Sequence, residues 1–175
     1  MKRFFTVLGL CCCISLSVSS AQAEPRPKIM ALDFQLNDMT DIPNAPEELE
    51  RIALLSSAFH EKLAGKDIDL VPPNEAIKAA MASQSATYLY NNIENAAKLA
   101  EGSGADYLLI GVALKPTYLF VYPRLLLVDI KTHQVLMSKS SQLESSWTDR
   151  NTTIRTAANL AQVVKDRLLK LENAE

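Results

Sequence analysis

The nine residues Asp106 to Leu114 (DYLLIGVAL) restrict the fold of this chain more than any other stretch. They are apolar at nearly every position, without the apolar–polar alternation of a strand that has one wet face. A strand built from them is covered on both sides, as in the centre of an α/β sheet. The flanking segments supply the cover. Lys28 to Phe34 (KIMALDF) reads as a second buried strand. Gln35 to Ala45, rich in Pro, Asn and Asp, reads as a loop. Pro46-Glu47-Glu48 opens a helix with proline and carboxylates in its first turn. Leu49, Ile52, Ala53, Ser56, Phe59 and Leu63 share its inner face, and Gly65 ends it.

Ile68 to Val71 is a short strand closed by Pro72-Pro73, and Asn74 caps a helix carrying Ile77, Ala80 and Met81. After a polar link from Ser83 to Tyr90, Asn91 or Asn92 caps a helix with Ile93, Ala96, Ala97 and Ala100 inward. Gly102 and Gly104 stop it. Thr117 to Ile130 and Val135 to Leu143 form a hairpin around Lys131-Thr132-His133-Gln134, with a bulge or break expected at Pro123. Thr148 or Asp149 caps a last helix whose stripe is Ile154, Ala157, Ala161, Val164, Leu168 and Leu171. About three heptads are too few for a convincing coiled-coil seam, so the stripe is assigned to packing on the sheet. The order β-α-β-α-α-β-β-β-α implies an α/β (mixed α+β) domain: a mixed sheet of about five strands with helices packed on it.

Ahead of this domain, Lys2 and Arg3 precede an apolar run from Phe4 to Val18, and Ala21-Gln22-Ala23 forms a small-x-small site. That pattern is an export signal over residues 1–23, cleaved before Glu24. Cys11, Cys12 and Cys13 are the only cysteines and lie inside the apolar run. Leu10 before Cys11 does not suit lipidation, so ordinary cleavage is expected, leaving a mature chain without Cys. Residues 24–175 then form one αβ domain located in the periplasm, with secretion beyond it as the other destination. They carry 16 basic and 20 acidic residues, with no basic run and no apolar stretch of membrane-spanning length. Nucleic acid is excluded as a partner on that ground, and no transmembrane helix is expected in the mature chain.

The Gly104 to Gly111 run (GADYLLIG) and the Val128 to Val135 hairpin (VDIKTHQV), with the order of elements, resemble the αβ domain of the TolB N-terminal part and of the CsgG periplasmic part. More closely, the chain is similar to an exported bacterial family of unknown function. That family reads Phe-Glu-Leu-x-Asp-Thr-Ser after its first strand, where this chain has Phe34-Gln35-Leu36-Asn37-Asp38-Met39-Thr40. After the central strand the family reads Lys-Val-Ser, against Lys115-Pro116-Thr117 here, and its Thr-Gly turn is replaced by Thr132-His133. The resemblance implies a fold and a compartment and no catalytic residues.

The residues themselves argue against common enzyme chemistry. The mature chain has two histidines, His60 beside the inner face of a helix and His133 in a turn, and no Cys for a nucleophile or a zinc site. No phosphate loop or dinucleotide fingerprint occurs, so no cofactor and no metal are expected. Asn37, Asp38 and Asp41 lack the spacing of a calcium loop. Tyr118, Phe120 and Tyr122 alternate on one strand face and are assigned to core or half-core packing.

One spatial expectation remains. If the first and central strands are parallel neighbours, their carboxyl ends bring Asn37, Asp38, Thr40 and Lys115 to one rim, with an Asp38–Lys115 pair. The expected function is a non-enzymatic envelope protein that binds other envelope proteins as an assembly module, with self-association open. The alternative is a periplasmic carrier holding a small molecule at that rim.

Overall fold

The computed structural model describes residues 26–143 and 149–173; the expected signal segment and Thr148 lie outside them. The strand from Asp106 is where the sequence placed it. It is β4 (Tyr107–Thr117), the centre of a six-stranded mixed sheet ordered β3-β1-β4-β5-β6. Here β1 is Lys28–Ala31, β3 is Asp69–Leu70, β5 is Phe120–Asp129 and β6 is Val135–Ser140. β1 and β3 are parallel to their neighbours, while β5 and β6 run antiparallel.

The first strand departs from expectation. It breaks after Ala31 and resumes as β2 (Gln35–Asp38), where a loop was expected; both pieces pair in parallel with β4. Ala31 faces Leu109 and Gln35 faces Val112, so Leu32, Asp33 and Phe34 stand against two residues of β4. This is a one-residue bulge. Gly111 makes room for it. The Phe34 ring lies 2.7–2.9 Å from where a Cβ on Gly111 would sit. The freed Phe34 N–H donates to Ser56 Oγ at 2.9 Å, and the ring meets Phe59 edge-on with centroids 5.5 Å apart.

Helices cover both faces. α1 (Pro46–Leu63) and α5 (Arg150–Glu172) enclose a core of Ile29, Phe34, Leu55, Phe59, Leu109, Leu127 and Leu160. α2 (Glu75–Ser83), α3 (Tyr88–Asn91) and α4 (Ile93–Ala100) enclose a second core with Met30, Ile77, Ala97, Leu108 and Leu126. α3 falls inside the expected polar link. The inner arc of α1 is rotated from the expected one: Leu49 and Ala53 are exposed, and Arg51, Leu55 and Ala58 are buried. α5 lies beside α1 and covers a second side of it. Arg51 Nε donates to the buried Thr153 Oγ1 there. Burial lowers the guanidinium pKa, and nearby Asp149 opposes that shift.

Asn74 Oδ1 accepts from Ile77 N–H, and Asp149 Oδ1 from the Asn151 and Thr152 N–H groups, as caps. Asn92 occupies the N-cap position of α4 but makes no cap bond; its amide donates to the Tyr88 carbonyl. Gly102 and Gly104 hold positive φ, whereas α1 ends through an extended Ala64 without a left-handed Gly65. No break occurs at Pro123, which pairs opposite Ala113 within β5. Its carbonyl accepts from Ser141 N–H on the β6 side, so its missing donor also faces that side, beyond the end of β6. The register shifts fall instead near Leu114/Thr117 and Leu127/Val128.

The β5–β6 turn keeps a glycine-like geometry with another residue. His133 has φ 59°, and its Nε2 lies 2.9 Å from Glu101 Oε1. A non-glycine residue in this region costs on the order of 1 kcal/mol, and a surface ion pair returns less. His133→Gly is expected to be more stable than His133→Ala by about 1 kcal/mol in thermal denaturation. Equal stability of the two variants would contradict the turn geometry.

Candidate functional site

The carboxyl ends of β2 and β4 form the expected rim. The pair register sets Asp38 opposite Lys115, and Met39 N–H donates to the Lys115 carbonyl at 3.0 Å. Lys115 continues the side of β4 that carries Leu109, Gly111 and Ala113, so its side chain points under α1. It is only 1 % exposed. Its Nζ lies 2.9 Å from Asp38 Oδ2 and 2.8 Å from the Glu48 carboxylate. Those side chains are 10 % and 11 % exposed.

Each carboxylate is held from a second direction. Thr40 donates its N–H and its hydroxyl to Asp38 Oδ1, at 2.8 and 2.7 Å. Ala45 N–H donates to Glu48 Oε2 at 3.1 Å, the reciprocal half of a capping box whose N-cap is an alanine. Glu48 sits in the first turn of α1, where the helix dipole favours negative charge. Burial alone would pull the Lys115 ammonium down, yet its bonds to Glu48 and Asp38 hold it above the ordinary lysine value. Burial likewise opposes ionisation of Asp38, and the bonds from Lys115 and Thr40 outweigh it, leaving Asp38 below the ordinary carboxylate value.

Of the four rim residues expected, three share this network: Asp38, Thr40 and Lys115. Asn37 alternates to the opposite face of the sheet and does not join. Glu48 was missed. Its signal was there in a first-turn acid following Pro46, but nothing in a single sequence ties that acid to a lysine far along the chain. The arrangement has the makings of a clamp joining β2, β4 and α1. Among the described residues no group of three or more His, Cys, Asp and Glu stands in metal-binding proximity.

Several large apolar side chains are exposed in the segments that flank the network. Met39, Tyr118 and Leu119 are 63 % exposed each, and Ile42, Leu49 and Phe120 are also exposed. Tyr118 and Phe120 are therefore outside the core, whereas Tyr122, the third residue assigned to core or half-core packing, is half-buried. Tyr118 lies in the β4–β5 turn and Phe120 opens β5, where it contacts Tyr122 with ring centroids 6.5 Å apart.

His60 and His133 are apart from this rim. His60 is half-buried on α1, with Nδ1 3.7 Å from Asp33 Oδ1 and no hydrogen-bond partner for Nε2 among the described residues. No described helix is long and apolar enough to cross a membrane.

Solved structures similar to this chain include the LpoB C-terminal domain from Escherichia coli, at 13 % identity and TM-score 0.48, covering 73 % of this chain and 90 % of that one. The lipoprotein GNA1162 from Neisseria meningitidis matches at 15 % identity and TM-score 0.44, over 83 % and 96 % of the two chains. TolB from Acinetobacter baumannii matches at 12 % and 0.46, over 83 % of this chain and 29 % of that one. Nothing about the site or a partner follows from likenesses this distant. No curated protein matches the chain. The match over residues 27–162 to the family model described as "Protein of unknown function (DUF2380)" shows that the chain belongs to the DUF3280 family.

Proposed function

We propose that the chain is an exported, non-enzymatic envelope protein that binds another envelope protein through the apolar rim at the carboxyl ends of β2 and β4. The observation that carries this reading is that Met39, just past the end of β2, Tyr118 and Leu119, in the turn after β4, and Phe120, opening β5, are all exposed at one end of the sheet. Single exposed apolar residues need no explanation, whereas a contiguous group marks a contact surface. The leader Lys2 to Ala23 supports the compartment, with Glu24 as the first mature residue. The buried ion network beneath supports a structural role for Asp38 and Lys115. Their charges are already matched by neighbours, which weighs against the carrier reading.

The test is a photo-crosslinking residue at position 119, compared with one at Asn95 on the exposed side of α4. In cells, the rim position is expected to give a discrete protein adduct that Tyr118→Asp abolishes, with none from position 95. Equal adducts from both positions, or none from 119, would overturn the proposal.

A further inference from the structure

The line formed by β1 and β2 is paired along its inner side by β4 from Ile29 to Asp38. On its outer side it is paired only by β3, at Lys28 and Ile29. β3 ends at Leu70, Val71 N–H donates once more to the Ile29 carbonyl, and Pro72-Pro73, which cannot donate to a ladder, follow. The outer edge of β2 thus has no strand partner among the described residues. Met39 N–H bonds toward β4, so by alternation Leu36 and Asp38 turn their N–H and C=O groups outward.

A groove lies on each side of this edge. One, about 500 Å³, runs under α1 and is lined by Leu36, Leu49, Ile52 and Ala53. The other, about 430 Å³, opens toward α2 and is lined by Gln35, Pro73, Met81 and Ala82. Asp33 and His60 border both. An open strand edge with side-chain room above and below has the form of a vacant strand position.

The charge in the slot selects its occupant. Lys78 lines the lower groove but is paired with Glu75 at 2.8 Å. Asp33, 69 % exposed, has only His60 within ion-pair distance among the described residues. The uncompensated charge is therefore negative. We propose that this slot binds an extended segment of a partner protein as an added strand. That segment places apolar side chains against Leu36, Leu49 and Ile52 and a lysine or arginine against Asp33. The slot adjoins the rim at the end of β2 but includes none of Tyr118, Leu119 and Phe120, and the proposal does not depend on that rim.

The probe is a random twelve-residue peptide library panned against the folded protein. Enriched peptides are expected to alternate apolar residues around a basic one. The best peptide, made synthetically, is expected to lose at least tenfold in affinity with Ala53→Arg, which fills the upper groove from an exposed position. A similar loss is expected with Asp33→Asn, or when alternate peptide amides are N-methylated; Leu119→Asp should leave binding unchanged. Hydrogen exchange at the Leu36 and Asp38 amides should be fast in the free protein and slowed by the peptide. The proposal is overturned if no peptide is enriched, or if binding survives Ala53→Arg or N-methylation. It is also overturned if the two amides are already protected without peptide. Protection that rises with protein concentration would assign the slot to a second copy. Protection at every concentration that disappears when residues before Arg26 are removed would assign it to the chain itself.

Discussion

Lys115→Met is expected to destabilise the protein by about 3–5 kcal/mol at neutral pH, the usual cost of removing one partner from a buried ion cluster. The lost cation leaves Asp38 and Glu48 facing each other with little water to screen them. Methionine matches the length of the lysine stem, so loss of packing contributes little. Two companions separate charge from packing. Adding Asp38→Asn and Glu48→Gln to Lys115→Met should recover much of the loss, because no uncompensated charge remains. Asp38→Asn alone should cost less than Lys115→Met, since Glu48 still pairs with the ammonium. Urea denaturation of the four proteins checks this series.

The same network sets a pH dependence. Asp38 titrates below its ordinary value of 3.8 in the folded protein. Its contribution is therefore complete above that value and is lost as pH falls through the folded one. Lys115 titrates above its ordinary 10.5, so its contribution is complete below 10.5 and is lost only at still higher pH. Between these limits the contributions of Asp38 and Lys115 should be flat. The Lys115→Met protein should behave differently: it has no ammonium for Asp38 to pair with, so it lacks the loss that wild type shows on acidification.

Gly111→Ala is the second large effect, a loss of about 1–3 kcal/mol from overpacking. The new methyl would meet the Phe34 ring at 2.7 Å. That ring cannot simply swing aside, because its backbone N–H is fixed to Ser56 and its edge rests on Phe59. The cost should be shared with Phe34. In a double-mutant cycle, Gly111→Ala in a Phe34→Leu background should cost less than in wild type. Additive losses would mean that the ring does not lie over the glycine.

These two sites show how much a single sequence discloses. The Asp106 to Leu114 run declared a strand buried on both faces because no alternation survives there. Once it was central and parallel to the first strand, the meeting of Asp38 with Lys115 followed from topology. The bulge at Leu32 to Phe34 was illegible for the same reason: a strand that is apolar throughout carries no period-two pattern whose slip would reveal an extra residue. Gly111 was the one mark of it, as glycine in a strand signals close approach of another group. The burial of Lys115 was hidden because its second partner, Glu48, comes from a helix whose rotation depends on α5. That contact also turned Leu49 and Ala53 outward. Tyr118 and Phe120 read as core or half-core because alternation reports which side chains share a face and not whether anything covers that face.

The central claim is that the ion network is scaffold and the apolar rim above it is the contact surface. Crosslinking yield per folded molecule, taken with the residue at position 119, tests it most directly. With Lys115→Met the melting temperature should fall while the yield from the folded fraction is kept. With Tyr118→Asp the melting temperature should hold while the yield disappears. Normal melting and abolished capture in Lys115→Met would contradict the account and make Asp38 and Lys115 the functional site.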